Sequence, residues 1–566
     1  MAGSVRLASL ILASIISMVA GCGGGSGGGT APPVITPPPP ISKAEAYRFL
    51  NQATFGATET EAQRLIALGD STNTYSRWLD EQFAKPAALQ LPFVQAAVPN
   101  PIPVGFNIGS LQAQRVEVWL QNSLKGDDQL RQRVAFALSE IMVVSQVGAL
   151  SNFPLSLADY YDMLARDAFG NFRNLLQDVT LHVSMGVYLS MLGNQKPDAA
   201  RNIRPDENYA REVMQLFSVG LVELNSDGTP RLVNSQTVPT YDQSIIEGFA
   251  NVYTGWRYAG GTTFANAGRA TLANQLQPMQ AYAEQHSSGT KKVLSYTGAA
   301  LSSIPAGQTP AQDLANALDN IFNHPNVGPF IARQLIQKLV TSNPSAAYVQ
   351  RMAAVFNSDS AGQRGNLQSV IRAILLDNEA RSAPASQSAG KIKEPLLRLT
   401  QLWRAYNARA ASGKYTGAAA GGPAATFAQG PLQAGSVFNF FSPFFAPTGE
   451  IANQNLVAPE MQLATEYNNT QAANFFWIQA INRTTAQTGL GADVVFIDTT
   501  QETAAAGDAE ALVTRVADRL LGGSISADLK ATVKAQVERT AATSPGTRVA
   551  DAIYLIVTSP EFVLQR

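Results

Sequence analysis

Leu130-Arg131-Gln132-Arg133-Val134-Ala135-Phe136-Ala137-Leu138-Ser139-Glu140 is the stretch that decides the fold. Leu130, Val134, Ala137, Leu138 and, one residue on, Ile141 recur at three and four positions, which makes one apolar stripe of an α-helix. Phe136 and Val143 fall on the opposite side. The segment from Asp127-Asp128 to about Gly148 therefore predicts a helix buried nearly all round. A helix of that kind needs other helices to cover it. Arg133 and Glu140 project from it, and a charge in such surroundings needs a partner.

The same period recurs on both sides. Helical patterns run over 43–56, 57–68, 76–83 and 111–123, then over 154–169, 171–192, 205–220 and 243–253. Further ones cover 310–322, 327–340, 345–357, 367–376 and 394–406, and three more close the chain over 508–521, 525–537 and 548–558. No alternation of strands with crossover helices is visible, so a parallel sheet is not expected. Residues 223–240 carry the turn sequence Asn225-Ser226-Asp227-Gly228 and suit a small hairpin. Residues 258–301 read as irregular, and the Ala/Gly-rich stretch 408–429 as a mobile surface loop. The class expected is mainly α: one helical body over 43–566, with a helical C-terminal subdomain from about residue 500.

The N-terminus predicts location. Arg6 precedes an apolar run from Leu7 to Val19, and Ala20-Gly21 lead to Cys22, the single cysteine in 566 residues. A charged start, a short apolar run and small residues at the cut form a secretory signal over 1–21. A cysteine directly after the cut is the lipoprotein pattern. Acyl chains on Cys22 would anchor the chain, at about 0.8 kcal/mol per buried methylene. Gly23–Gly29 and Pro32–Pro40 continue as a flexible and then a stiffer spacer, a tether over 22–42. With no aspartate after Cys22, the convention for such proteins in Gram-negative bacteria is sorting to the outer membrane.

Composition narrows the chemistry. The net charge of −1 and the lack of any basic block give no electrostatic footprint for nucleic acid. Once Cys22 is acylated, the body has no thiolate and no disulfide. His182, His286 and His324 are the only histidines, so a metal site would have to lean on carboxylates. No nucleophile elbow lies outside the tether, and no phosphate loop or dinucleotide fingerprint is present. The cofactor stays open.

Several segments resemble the bacterial domain of unknown function 1800 family. They are Arg48–Gly56, Leu130–Glu140, Pro205–Phe217, Thr254-Gly255-Trp256, His324–Val327, Lys393-Glu394-Pro395, Ser436–Phe440 and Ser559–Phe562. The likeness spans essentially the whole body. It implies an exported, mostly helical bacterial protein and a possible partner from the domain of unknown function 1501 family, but it supplies neither substrate nor mechanism. Many members carry aspartate after the histidine that matches His286, whereas Ser287 stands here.

Candidate site residues follow from helical geometry. On the 205–220 segment Tyr209, Val213, Leu216 and Phe217 share an apolar face, and Glu207, Asn208, Arg211, Glu212 and Gln215 fill the opposite arc. Glu207 and Arg211 are spaced for an ion pair, as are Asn208 and Glu212 for a hydrogen bond. Glu212 lies at the apolar edge, where partial burial would raise its pKa toward that of a general base. Glu207, Arg211, Glu212 and the loop residue His286 form the candidate catalytic set; Asn208, Arg133 and Glu140 are candidate binding residues. Arg133 and Glu140 are also placed to meet Glu207 and Arg211 as a buried quartet. His182 and His324 read as packing or capping residues. Glu223–Gly228 imitates part of a calcium loop, but Asn234 stands where a glutamate is needed, so it reads as a turn. Phe438, Phe440, Phe441, Phe444 and Phe445 read as core.

Two functions remain in view. One is an accessory lipoprotein that binds another exported protein or a surface polymer. The other is an acid–base or carboxylate-metal hydrolase of envelope or extracellular material.

Overall fold

The computed structural model describes residues 38–383, 389–415 and 423–566. The leader, Cys22 and the tether up to residue 37 lie outside the described residues. Pro39–Arg566 forms one compact unit. Among the described residues there are 25 α-helices and four two-stranded antiparallel ladders, so the chain is mainly α. No described helix is long and apolar enough to cross a membrane.

One apolar core joins the two ends of the body, from Ile41, Phe49 and Trp78 through Trp119, Phe136 and Trp403 to Ile556 and Phe562. Lys391–Ile392 pairs with Leu564–Gln565, and Lys393 N donates to Val563 O. The helices after residue 500 thus belong to the same unit as the first. Arginines tie helices together through main-chain carbonyls, some of them at helix ends. Arg404 donates to Gly56 O at 2.8 Å and to Leu124 O at 2.9 Å. Burial pushes its pKa down to about 10.

The stretch around 130–140 is a helix over Gln129–Ser139, and every residue of it except Arg131 is buried. It stops nine residues short of the expected end. Glu140 caps it, and Ile141 N turns back to Leu138 O at 3.1 Å. Residues 141–145 continue as buried, non-helical chain, and Gln146 N is taken by Leu432 O at 2.9 Å. The sequence holds no glycine or proline at the break. The side chain of Glu140, held from outside the helix, sets the exit.

Two other helices are shorter than their patterns. The stretch 171–192 divides at His182 into Phe172–Leu181 and Val183–Tyr188; the His182 Nδ1 accepts from Ser184 N at 3.1 Å and caps the second helix. The 205–220 pattern gives a helix over Asn208–Gln215, which loosens into a wider turn where Val219 N reaches Met214 O. Gly220 ends it at φ +79°, and a Cβ there would stand 3.0 Å from the Phe330 ring. The hairpin is present as Leu232–Val233 against Gln236–Thr237, turned by Asn234 and Ser235 at positive φ.

The expected surface loop 408–429 needs correction. Residues 416–422 lie outside the described part, but Tyr415, Phe427 and Gln429 are buried. Phe427 meets Phe475 with ring centroids 5.1 Å apart. The alanine and glycine content had hidden these few anchoring side chains.

Candidate functional site

At the end of the Gln129–Ser139 helix the fold gathers six buried charges. Arg133 and Glu140 come from this helix and its cap, and Lys338 from the helix Val327–Leu339. Lys391 and Glu394 come from the segment leading into the helix Pro395–Ala405, and Glu460 from the short turn Pro459–Leu463. Lys338 Nζ lies 3.0 Å from Glu140 Oε2. Lys391 Nζ lies 3.4 Å from Glu394 Oε1 and 3.1 Å from Glu460 Oε1, and donates to Lys338 O at 2.9 Å. Arg133 Nη2 donates to the same carbonyl at 2.6 Å. Gln429 Nε2 spans Glu140 Oε1 at 3.1 Å and Glu394 Oε2 at 2.7 Å.

Burial and the neighbouring Glu394 carboxylate push Glu140 up to about 8. Burial works the other way on Glu394, but Lys391, Lys338 and Arg133 outweigh it and hold that group at about 2. The pair therefore shares one proton at neutral pH, as two adjacent buried carboxylates must. A consequence can be measured. An acid whose folded pKa is raised contributes stability that is complete below its unfolded value, near 4.5, and is lost as pH rises through about 8. Glu394 does not titrate in that window. Glu140→Gln, which keeps the protonated shape, is expected to remove this slope, so that the variant gains on wild type by a few kcal/mol between pH 5 and 8.5. Urea unfolding of both proteins across that range checks it.

Above the charges lies a groove of 350 Å³. One wall is a single face of the Val327–Leu339 helix: Phe330, Arg333, Gln334, Gln337 and Lys338. The second is the turn and bridge region from Leu216 to Pro230, and the third runs from Val437 to Phe444. Lys338 Nζ sits 4.0 Å from the centre of the Phe441 ring, and the Arg333 guanidinium 5.3 Å from that of Phe444. The aromatic cluster is not core as expected. Only Phe441 is buried; Phe440 and Phe445 are half-buried, and Phe438 and Phe444 are each 56% exposed. The segment is non-helical around Pro443, so its rings do not share one face.

The residues singled out by sequence are dispersed. Arg211 meets Glu207 at 3.0 Å on the surface, and Gln243 Nε2 donates to both Glu207 oxygens at 3.0 Å. Asn208 is exposed, and its N–H bonds to Asp206 rather than its side chain to Glu212. Glu212 is half-buried; burial raises its pKa, and its Oε2 has no hydrogen bond. The quartet with Arg133 and Glu140 does not form, because those two are claimed by the Lys338 carbonyl and the Lys338 ammonium. His286 is buried, not a free loop residue. Its Nε2 lies 2.8 Å from Asp313 Oδ2 and its Nδ1 2.9 Å from Thr254 O. Lys291 Nζ completes that cluster at 2.6 Å from Asp313. The Glu223–Gly228 segment is a turn: Glu223 pairs with Arg231, and Asp227 Oδ1 accepts from Thr229 N at 2.9 Å.

Lys338, Lys391, Glu394, Glu460 and Gln429 were missed. The available signal was a lysine near the end of an apolar helix and the run Lys391-Ile392-Lys393-Glu394 entering another. Spacing in sequence does not bring the two together. Among the described residues no group of three or more His, Cys, Asp or Glu is placed to hold a metal ion.

Fold and site together define a mainly α, single-unit body with an aromatic-rimmed groove over a buried ion cluster. The chain belongs to the family described as Protein of unknown function (DUF1800), whose model matches residues 48–564. No curated protein and no solved structure matches it.

Proposed function

We propose that this chain is an envelope-anchored bacterial lipoprotein that binds another exported protein through the groove. The observation that carries the reading is the rim: Leu221, Phe438 and Phe444, each 56% exposed, stand together around one apolar groove. Large apolar side chains clustered at a concave site mark interaction surfaces far more than they mark solvated ones. Lipidation at Cys22 and sorting to the outer membrane are the expectations that put the body where exported proteins meet it. A member of the domain of unknown function 1501 family is the proposed partner. The buried charges act as the rigid floor of the groove.

The test is the double substitution Phe438→Ser with Phe444→Ser. Both side chains lie at the surface, so stability should change by less than about 1 kcal/mol. Co-purification of the partner with the full-length protein from native envelope should be lost. Retention of the partner by a folded double variant contradicts the reading.

A second reading, hydrolysis of envelope material by acid–base chemistry, draws on Glu140, which carries a proton at neutral pH at the groove wall. Glu140→Gln separates the two: a hydrolase would lose turnover, while a binding protein would keep its partner.

A further inference from the structure

Four polar side chains of the groove wall carry five atoms that are buried without a hydrogen-bond partner. The donors are Arg333 Nε, Gln334 Nε2 and Asn439 Nδ2; the acceptors are Gln337 Oε1 and Asn439 Oδ1. Arg333 makes no ion pair and no hydrogen bond to any described residue. Each such atom costs about 1–3 kcal/mol when left unpaired, and a gathering of them at one place asks for an explanation. The Arg333, Gln334 and Asn439 groups are at the ends of side chains that line the groove, whereas the Gln337 amide is fixed by the bonds of its Nε2 to Ser342 O and Pro443 O.

We infer that the groove takes an extended segment of the partner's main chain, with apolar side chains on the phenylalanines and one carboxylate on Arg333. This rests on the reading of the groove as a protein-binding site. A peptide main chain offers a donor and an acceptor at every residue, which matches the mixed set on Gln334, Gln337 and Asn439. A fatty acid has no donors for the acceptors and would leave Leu221, Phe438 and Phe444 in water once it lay inside. An oligosaccharide would bury its hydroxyls against Leu216, Val219 and Val222, where nothing pairs with them. The carboxylate is asked for by Arg333, a half-buried cation that lacks a counter-ion; the ammonium of Lys338 beside it is already engaged, 3.0 Å from Glu140 Oε2 and over the Phe441 ring.

The test uses full-length protein and an array of blocked hexapeptides of Phe and Leu in which a single aspartate walks through the six positions. At least one member should bind by calorimetry, and its asparagine analogue and its main-chain N-methylated analogue should each bind at least about tenfold more weakly. Arg333→Met should erase the difference between the aspartate and asparagine peptides. Gln334→Ala should weaken both peptides alike. Laurate and cellohexaose serve as the competing probes. The inference is overturned if no hexapeptide binds, if N-methylation leaves the affinity unchanged, or if laurate or cellohexaose binds where the peptides do not. When the double phenylalanine variant loses the partner but N-methylated peptides bind like their parent, only this inference falls. When that variant keeps the partner, the groove itself is the wrong place.

Discussion

Lys391→Met should destabilise the protein by about 3–5 kcal/mol. The ammonium is fully buried and lies between the carboxylates of Glu394 and Glu460, with a third bond to Lys338 O. Methionine fills the space but leaves two carboxylates repelling one another without the cation that holds them together. The lost pairing is the smaller part of the cost. Leaving charged groups buried and uncompensated is the larger one. Urea unfolding gives the figure, and the double variant Lys391→Met with Glu460→Leu should recover part of it. A loss below about 1 kcal/mol would mean that water reaches the cluster.

Asp313→Ala should cost a similar amount, about 3–5 kcal/mol, in a different part of the body. Asp313 and Lys291 are both fully buried, and the aspartate takes Lys291 Nζ and His286 Nε2 on the same oxygen. Alanine strands the lysine, whose other bond is to Gly289 O at 2.9 Å. By contrast, breaking the surface pair through Glu207→Ala should move stability by no more than about 0.5 kcal/mol. Thermal melts of the two variants side by side check the contrast. The outcome also bears on His286, whose ring is held by Asp313 and Thr254.

The class of fold was open to reading because it rests on local period. The Gln129–Ser139 helix announces its burial in eleven residues, and the helices at 310–322 and 367–376 do so through apolar stripes of the same kind. What sequence could not show was where charge finds charge. Glu140 lies 198 positions before Lys338, and Lys391 lies 69 before Glu460, so no helical spacing relates them. The expectation that Arg133 and Glu140 need partners was sound physics; their partners came from elements that pattern does not place. Helix ends failed for a related reason. His182 caps through its ring nitrogen, and Glu140 ends its helix because its side chain is held from outside, and neither carries a glycine or proline to announce it. The aromatic cluster was misplaced because composition favours core, while the path of a non-helical segment decides which rings reach solvent.

The groove between Leu221, Phe330 and Phe438 is the proposed place where this protein meets another. Photo-cross-linking tests it most directly, with full-length protein carrying p-benzoylphenylalanine in place of Phe438 or, as a control, of Tyr467, which is 66% exposed on the Glu466–Asn482 helix and does not line the groove. Irradiation in native envelope should give a discrete protein adduct from position 438 and none of that mass from position 467. No protein adduct from position 438, or the same adduct from both, would show that the groove is not the binding site.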